Sequence, residues 1–156
     1  MIHLTRAPVA HTQMLIRKPV EQVFEAFADP AITTKFWFTK SSGRLEEGKT
    51  IRWDWEMYGV GADVEVKQVV QNERIVIEWG APNASTVEWT FSPRDEGTFV
   101  TITNANFTGS GDDIVMEAID SMGGFTMVLC ALKALLEHGV VLTVVADRAP
   151  DSYVQS

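Results

Sequence analysis

The chain has 156 residues, of which 46% are hydrophobic and 22% charged, the size and composition of one globular domain that folds without disulfides or metal. Its formal net charge is −8, from 13 Lys and Arg against 21 Asp and Glu. This acidic balance argues against nucleic acid and anionic membrane surfaces as partners, because both attract basic patches.

The first predicted elements are one strand and two short helices. Residues 10–17 are strand-like, and Lys18-Pro19 opens a helix, because proline tolerates the first helical position. The buried stripe of that helix is predicted to be Val20, Val23, Phe24 and Phe27. Asp29-Pro30 ends it, and a second short helix is predicted over residues 31–38.

The middle of the chain alternates apolar and polar residues with period two, which is typical of strands with one buried face. The predicted strands cover residues 51–57, 62–71, 75–79, 87–91 and 98–107. Tyr58–Gly61 contains two glycines and is predicted to form a hairpin turn. Strands joined by such short turns form a meander, so the sheet is predicted to be antiparallel and the fold class α+β.

A long helix is predicted to follow, with Asp112 or Asp113 as its N-cap and Gly139 as its C-cap. Its predicted apolar face consists of Ile119, Met122, Thr126, Leu129, Leu132 and Leu136. Two adjacent glycines, Gly123 and Gly124, cost about 1 kcal/mol each relative to alanine inside a helix. Something is therefore expected to approach the helix closely there, either a sheet side chain such as Trp89 or a ligand.

The segment Val140–Ala146 alternates again and is predicted to form an added edge strand or an arm. If the arm pairs with a neighbouring subunit, the protein is a homodimer. The segment is too short to cross a bilayer, and we expect no membrane insertion. Residues 1–10 carry no signal-peptide pattern and Cys130 is the single cysteine, which together indicate a cytoplasmic protein.

Several segments resemble a known superfamily when they are taken in order. They are Lys18–Phe24, Asp29-Pro30 followed by Trp37, Gln71–Trp79, Gly97–Thr103 and Leu132–Gly139. The chain resembles the START-like, Bet v 1-like (SRPBCC) superfamily over about residues 10–139. Within that superfamily, the chain resembles the branch of small bacterial proteins related to the activator of the heat-shock-protein ATPase.

The resemblance implies a helix-grip fold, in which a curved antiparallel sheet wraps around the long C-terminal helix and leaves an apolar cavity between them. It implies one START-like domain over residues 1–156, with a core at about 10–139 and a tail at 140–156. Two positions depart from the pattern of the branch: Asn104 stands where relatives often carry histidine, and Phe125 where tryptophan often follows the helix glycine. Roles of those family side chains are not carried over.

Ligand pockets are lined mainly by apolar and aromatic groups with a few placed polar ones. The predicted ligand-binding residues are Trp37, Trp53, Trp55, Trp89, Asn104, Met122, Gly123 and Phe125. The other interpretation is that the aromatic rings only fill the core. Asn104 likewise has two interpretations, a polar group inside the cavity or a side chain bonded to neighbouring backbone.

Catalytic and metal-binding patterns are absent from the sequence. The three histidines, at positions 3, 11 and 138, do not have the spacing of metal ligands, and no pair of cysteines exists. The two-glycine turns lack the lysine of a phosphate-binding loop, so neither metal nor cofactor is predicted. Cys130 is predicted to be a small buried hydrophobe. The strand carboxylates are predicted to face solvent, although a bulge that turned Asp54 or Glu65 inward would make a general base.

Three functions from different classes remain open. The first is binding of a small hydrophobic molecule in the cavity between the sheet and the C-terminal helix. The second, which the resemblance implies, is an enzyme of the polyketide cyclase or hydratase kind. The third, also implied by the resemblance, is a stress-response module that stimulates a chaperone ATPase.

Overall fold

The computed structural model describes residues 3–154 as a seven-stranded antiparallel sheet and one long helix, and it confirms the α+β helix-grip prediction. Residues 1–2 of the N-terminal stretch and 155–156 of the tail lie outside the described residues. The strands are β1 Ala10–Ile16, β2 Lys40–Ser41, β3 Thr50–Trp55, β4 Val60–Val70, β5 Arg74–Trp79, β6 Ser85–Arg94 and β7 Gly97–Ala105. The helices are α1 Val20–Ala28, α2 Pro30–Thr33, α3 Gly111–His138 and α4 Val144–Asp147.

The sheet order is β1-β7-β6-β5-β4-β3-β2, so the meander predicted from period two is confirmed and β1 closes beside β7. The buried face follows the predicted parity. Trp89 pairs with Ile102 and Phe91 with Val100 across β6 and β7, and these four side chains are buried. Such cross-strand pairs hold the register, since a slip of one residue would turn the whole set to solvent.

The structure departs from the predicted elements at four places. The predicted second helix, 31–38, is the single turn α2, and strand β2 was not predicted. A 3-10 turn at Glu56–Tyr58 ends β3 early, which takes Met57 out of the strand. The register of β4 against β5 shifts between Val66 and Gln68, a bulge that simple alternation does not reveal.

Helix α1 covers one end of the sheet. Phe24 packs edge-on against Phe91 at 5.3 Å between ring centroids, and Phe27 lies 5.9 Å from Trp89. On its outer side Arg44 donates two hydrogen bonds of 2.6 Å to the carboxylate of Glu25. These bonds hold the pKa of Glu25 below its ordinary value, and they fasten the segment after α2 to α1.

Helix α3 has clear signals at both ends. Ser110, rather than Asp112 or Asp113, is the N-cap: its hydroxyl accepts from the Asp113 backbone N–H, and the Asp113 carboxylate accepts from the Ser110 backbone N–H. This reciprocal arrangement is a capping box. Gly139 ends the helix in the left-handed conformation, as predicted.

The buried face of α3 includes Leu129 and Leu132, as predicted, but differs from the prediction nearer the start of the helix. The buried residues are Ala118, Phe125, Val128, Leu129, Ala131 and Leu132, whereas Ile119 and Met122 are 61% and 49% exposed. Apolar residues surround much of this helix, so spacing alone left its orientation about its axis undecided. Cys130 is exposed, and the prediction of a buried cysteine is wrong.

By length and composition α3 could cross a membrane, and 28% of its most apolar 18-residue window is buried within the protein. One such helix is weak evidence for a membrane span, because core helices of soluble proteins have the same composition. Its buried residues belong to the same hydrophobic cluster as the inner face of the sheet. The helix therefore serves the core of this fold.

The tail does not form the predicted edge strand. Residues 140–143 are irregular, Val144–Asp147 form α4, and a 3-10 turn follows at Pro150–Ser152. The tail folds back on its own chain: Tyr58 donates its hydroxyl to the Ala146 carbonyl at 3.1 Å, and the Val154 N–H donates to the Met57 carbonyl at 2.9 Å. Long-range contacts of this kind outweigh the local alternation of the segment.

Candidate ligand-binding pocket

A pocket of about 740 Å³ lies between α3, the tail and one end of the sheet. At this end β3 and β5 finish, β6 begins and β7 finishes, because neighbouring strands run antiparallel. The aromatic residues that line it are Trp37, Trp55, Tyr58, Trp79, Phe107 and Phe125. The polar and charged ones are Asn83, Ser85, Asn104, Glu117, Asp120, Ser121 and Arg148. The remaining wall residues are small or aliphatic.

The aromatic wall is built from the ends of two strands, from α3 and from the segment after α2. Trp55 and Trp79 are the last residues of β3 and β5, and Phe125 comes from α3. Trp37 lies among them, with ring centroids 6.1 Å from Trp55, 6.0 Å from Trp79 and 5.6 Å from Phe125. Edge-to-face contacts at such distances stabilise an aromatic cluster and give the pocket a rigid apolar surface.

The polar part of the wall is organised around Asn104. Its amide nitrogen donates to the Ser85 hydroxyl at 3.0 Å and to the Thr86 carbonyl at 2.9 Å, and its oxygen accepts from the Ser121 hydroxyl at 2.8 Å. Both interpretations of Asn104 therefore describe it, since it lines the pocket and also bonds to backbone. Ser85 is only 7% exposed, and its own proton finds no acceptor within residues 3–154. A ligand carbonyl or hydroxyl oxygen in the pocket would suit that donor.

The two adjacent glycines of α3 do not make room for Trp89. Their nearest side-chain neighbour is Arg148. A Cβ added to Gly123 would lie 3.2 Å from Nη2 of Arg148, and one added to Gly124 would lie 3.4 Å from Nη1. The close approach predicted from these glycines is thus made by a guanidinium group from the tail. Gly124 lines the pocket, and Gly123 is exposed outside it.

The predicted ligand-binding residues divide into two groups. Trp37, Trp55, Asn104 and Phe125 line the pocket. Trp53 and Trp89 are buried in the core, and Met122 and Gly123 are exposed on α3, so these four lie outside its lining. Ligand contact by any of the eight stays a prediction.

Other lining residues were missed at the level of sequence. Trp79 follows Ile75 and Ile77 at period two, and Ser121 precedes Phe125 by one helical turn, so local spacing could have found both. Ser85 could be found only from its register with Trp79. Tyr58 lines the pocket from the 3-10 turn after β3, and Arg148 lines it from the tail; the sequence carries no local signal for either placement.

The strand carboxylates considered as general bases lie outside the pocket lining. Arg52 donates to Asp54 at 3.2 Å, and Lys67 lies 3.0 Å from Glu65, which is exposed. Within residues 3–154 no group of three His, Cys, Asp or Glu side chains is placed to hold a metal ion. The buried Nε1 of Trp89 has no hydrogen-bond partner in the same range. The charged side chains that line the pocket are Glu117, Asp120 and Arg148.

The fold and the pocket between sheet and helix define the chain as a START-like, Bet v 1-like protein. A family model described as "Activator of Hsp90 ATPase homolog 1-like protein" matches residues 17–137, and the chain belongs to this family. No match is found among curated proteins.

Solved structures agree with this assignment. Protein SSP2350 from Staphylococcus saprophyticus is 34% identical, with a TM-score of 0.74 and coverage of 86% of this chain and 96% of that one. The Aha1 dimer from Colwellia psychrerythraea is 20% identical, with a TM-score of 0.73 and coverage of 85% and 98%. DynU16, encoded in the dynemicin biosynthetic locus, is 21% identical with a TM-score of 0.71, and the match covers 85% of this chain and 48% of DynU16. The latter two show the fold alone.

Proposed function

We propose that the protein binds a small, largely apolar molecule in the pocket between the sheet and α3. The observation that carries the proposal is the combination of a 740 Å³ pocket with a wall of Trp37, Trp55, Trp79 and Phe125. This volume falls within the range of about 300–1,000 Å³ for small-molecule sites, which are mostly apolar with a few polar groups. Ser85 and Ser121 supply such groups, and Asn104 holds them in place. The cytoplasm is the proposed compartment.

The two glycines of α3 offer a matched test. Gly124→Leu places four carbons at the pocket wall and is expected to weaken binding of Nile red, an uncharged apolar dye, by about tenfold or more, because burying each methylene is worth about 0.8 kcal/mol. Gly123→Leu adds the same atoms on the exposed side, outside the pocket lining, where they would meet Arg148. It is expected to weaken binding of this uncharged dye by clearly less than Gly124→Leu. Fluorescence titration measures both affinities. A wild type that does not bind Nile red, or equal losses in both variants, would contradict the proposal.

Native mass spectrometry of freshly purified protein would identify a ligand that is carried through purification. Two other functions stay predictions. The description of the family makes activation of the Hsp90 ATPase the second candidate, and faster ATP hydrolysis by Hsp90 in the presence of the protein would support it. The polyketide cyclase or hydratase alternative would require turnover of a substrate.

We also propose a homodimer, formed through the exposed apolar stripe of α3 rather than through the tail. Met116, Ile119 and Met122 recur every three residues along one side of this helix and are 66%, 61% and 49% exposed. Contiguous apolar side chains on a surface mark interaction sites. A second copy is the proposed occupant because the Aha1 structure from Colwellia psychrerythraea is described as a dimer.

Ile119→Asp is expected to convert the dimer to a monomer, because a buried unpaired carboxylate at an interface is costly. Light scattering would then fall from twice 17.3 kDa to 17.3 kDa. Val141→Asp, at an exposed apolar residue of the tail, is the control and should leave the mass unchanged. A monomeric wild type, or dissociation by the tail variant alone, would refute the proposed interface.

A further inference from the structure

The chemical class of the ligand can be inferred from Arg148. Its guanidinium lies over the α3 backbone that Gly123 and Gly124 leave uncovered. Side chains at these positions would crowd it, since added Cβ atoms would lie 3.2 and 3.4 Å from its nitrogens. The helix therefore carries two residues of low helix propensity at the place where this guanidinium contacts it.

Most of the hydrogen-bonding capacity of Arg148 is unused. A guanidinium has five N–H donors, and within residues 3–154 Arg148 makes one hydrogen bond, to Oδ1 of Asp120 at the long distance of 3.5 Å. Asp120 is 85% exposed, so solvent screens its charge. The guanidinium can therefore still form a paired hydrogen bond with another anion.

The part of the chain that carries Arg148 is anchored on both sides of it. Tyr58 donates to the Ala146 carbonyl before Arg148, and Tyr153 donates to the same carbonyl at 2.8 Å. After it, the Val154 N–H bonds to Met57. The family match ends at residue 137, so this segment is an addition to the wall that the family model does not describe. It holds the cation at a fixed place in the pocket lining.

Arg148 is the single Lys or Arg among the described lining residues, and Glu117 and Asp120 line the same pocket. This lining carries one net negative charge, which repels a doubly charged phosphate about twice as strongly as a singly charged carboxylate. A carboxylate carries one negative charge, and its planar pair of oxygens matches the guanidinium fork. The aromatic wall meanwhile requires an apolar body.

We infer that the ligand is an apolar carboxylic acid whose carboxylate pairs with Arg148 while its hydrocarbon or aromatic part lies against Trp37, Trp79 and Phe125. This inference rests on the proposed binding function. It makes Arg148 a residue that determines specificity.

The test compares acids with their primary amides, which have the same shape without the charge. Calorimetric titrations with decanoic, cinnamic and 2-naphthylacetic acid and the three amides give one affinity ratio for each pair. We expect the wild type to bind at least one acid about tenfold or more tightly than its amide, because hydrogen bonds to charged groups are stronger than those between neutral groups.

Arg148→Gln should bring that ratio close to one and leave amide binding intact, and Arg148→Lys should give an intermediate ratio. Arg74→Gln, which breaks a surface pair with Glu88, should leave the ratio unchanged.

The outcomes separate the two levels of the proposal. Ratios near one in the wild type, or a preference that survives in Arg148→Gln, would overturn the role of Arg148 while ligand binding stands. If none of the acids and amides binds while the protein still binds Nile red, the inference that the ligand is an apolar carboxylic acid would also be refuted. Failure to bind Nile red as well would refute the binding function itself.

Discussion

A chain that ends at Ser110, and so lacks α3 and the tail, is expected to show no cooperative thermal unfolding. Helix α3 contributes Phe125, Val128, Leu129 and Leu132 to the core, all of them buried. Without them the inner face of the sheet, including Val100 and other buried side chains, would meet water, and hydrophobic burial is the dominant favourable term in folding. A sheet with one uncovered apolar face is not a stable layer arrangement.

The control for this truncation is a chain that ends at Gly139. It keeps the whole of α3 with its C-cap and loses only residues 140–156. We expect it to unfold cooperatively, although the tail's part of the pocket wall is gone. Circular dichroism melts of the two truncated chains and the full chain provide the measurement. A cooperative transition in the chain ending at Ser110 would show that the sheet and α1 form a core of their own.

Replacing Trp53 with alanine is expected to lower the free energy of unfolding by about 3–5 kcal/mol, the usual cost of removing a large buried aromatic side chain. Trp53 is 1% exposed and stacks on Phe38 with ring centroids 4.6 Å apart and planes 18° from parallel. It also contacts Trp37 at 5.0 Å. Its loss would leave a cavity that these rings cannot fill by small shifts.

Urea denaturation compares Trp53→Ala with the control variant Val141→Ala. Val141 is an exposed residue of the tail, outside the proposed dimer interface, and its truncation should change stability by less than about 0.5 kcal/mol. The result also bears on the interpretation of Trp53 as a ligand-binding residue. A loss of less than about 1 kcal/mol, accompanied by weaker Nile red binding, would show that Trp53 serves the pocket rather than the core.

The sheet was predictable from the sequence because its period is local. Alternation in β5, β6 and β7 assigned Ile77, Trp89 and Ile102 to the inner face, and the register confirms it. The same reasoning failed where the backbone departs from a regular strand, at the 3-10 turn Glu56–Tyr58 and at the bulge near Val66. Such irregularities depend on how neighbouring strands pair, and the sequence of a single strand does not reveal that pairing.

The pocket was less predictable than the sheet, because tertiary contacts rather than local sequence patterns bring several of its lining residues together. The rotation of α3 could not be read from spacing, because Ile119 and Met122 are as apolar as the residues that are buried. The two glycines correctly indicated a close approach. Their partner, Arg148, lies more than 20 residues further along the chain, just beyond the segment Val140–Ala146 whose alternation favoured a strand. Helix α4 forms in that segment instead, and the tail packs on Tyr58 and on α3.

The central position of Trp37 has a spectroscopic consequence. Its ring lies 5.0–6.1 Å from each of the other four indoles of the protein. At such separations the electronic transitions of neighbouring indoles couple, and excitation passes rapidly from one ring to the next. The intrinsic emission and the near-ultraviolet dichroism therefore belong to the five tryptophans as a set. A quencher that reaches only Trp55 or Trp79 at the pocket wall would dim the buried indoles as well.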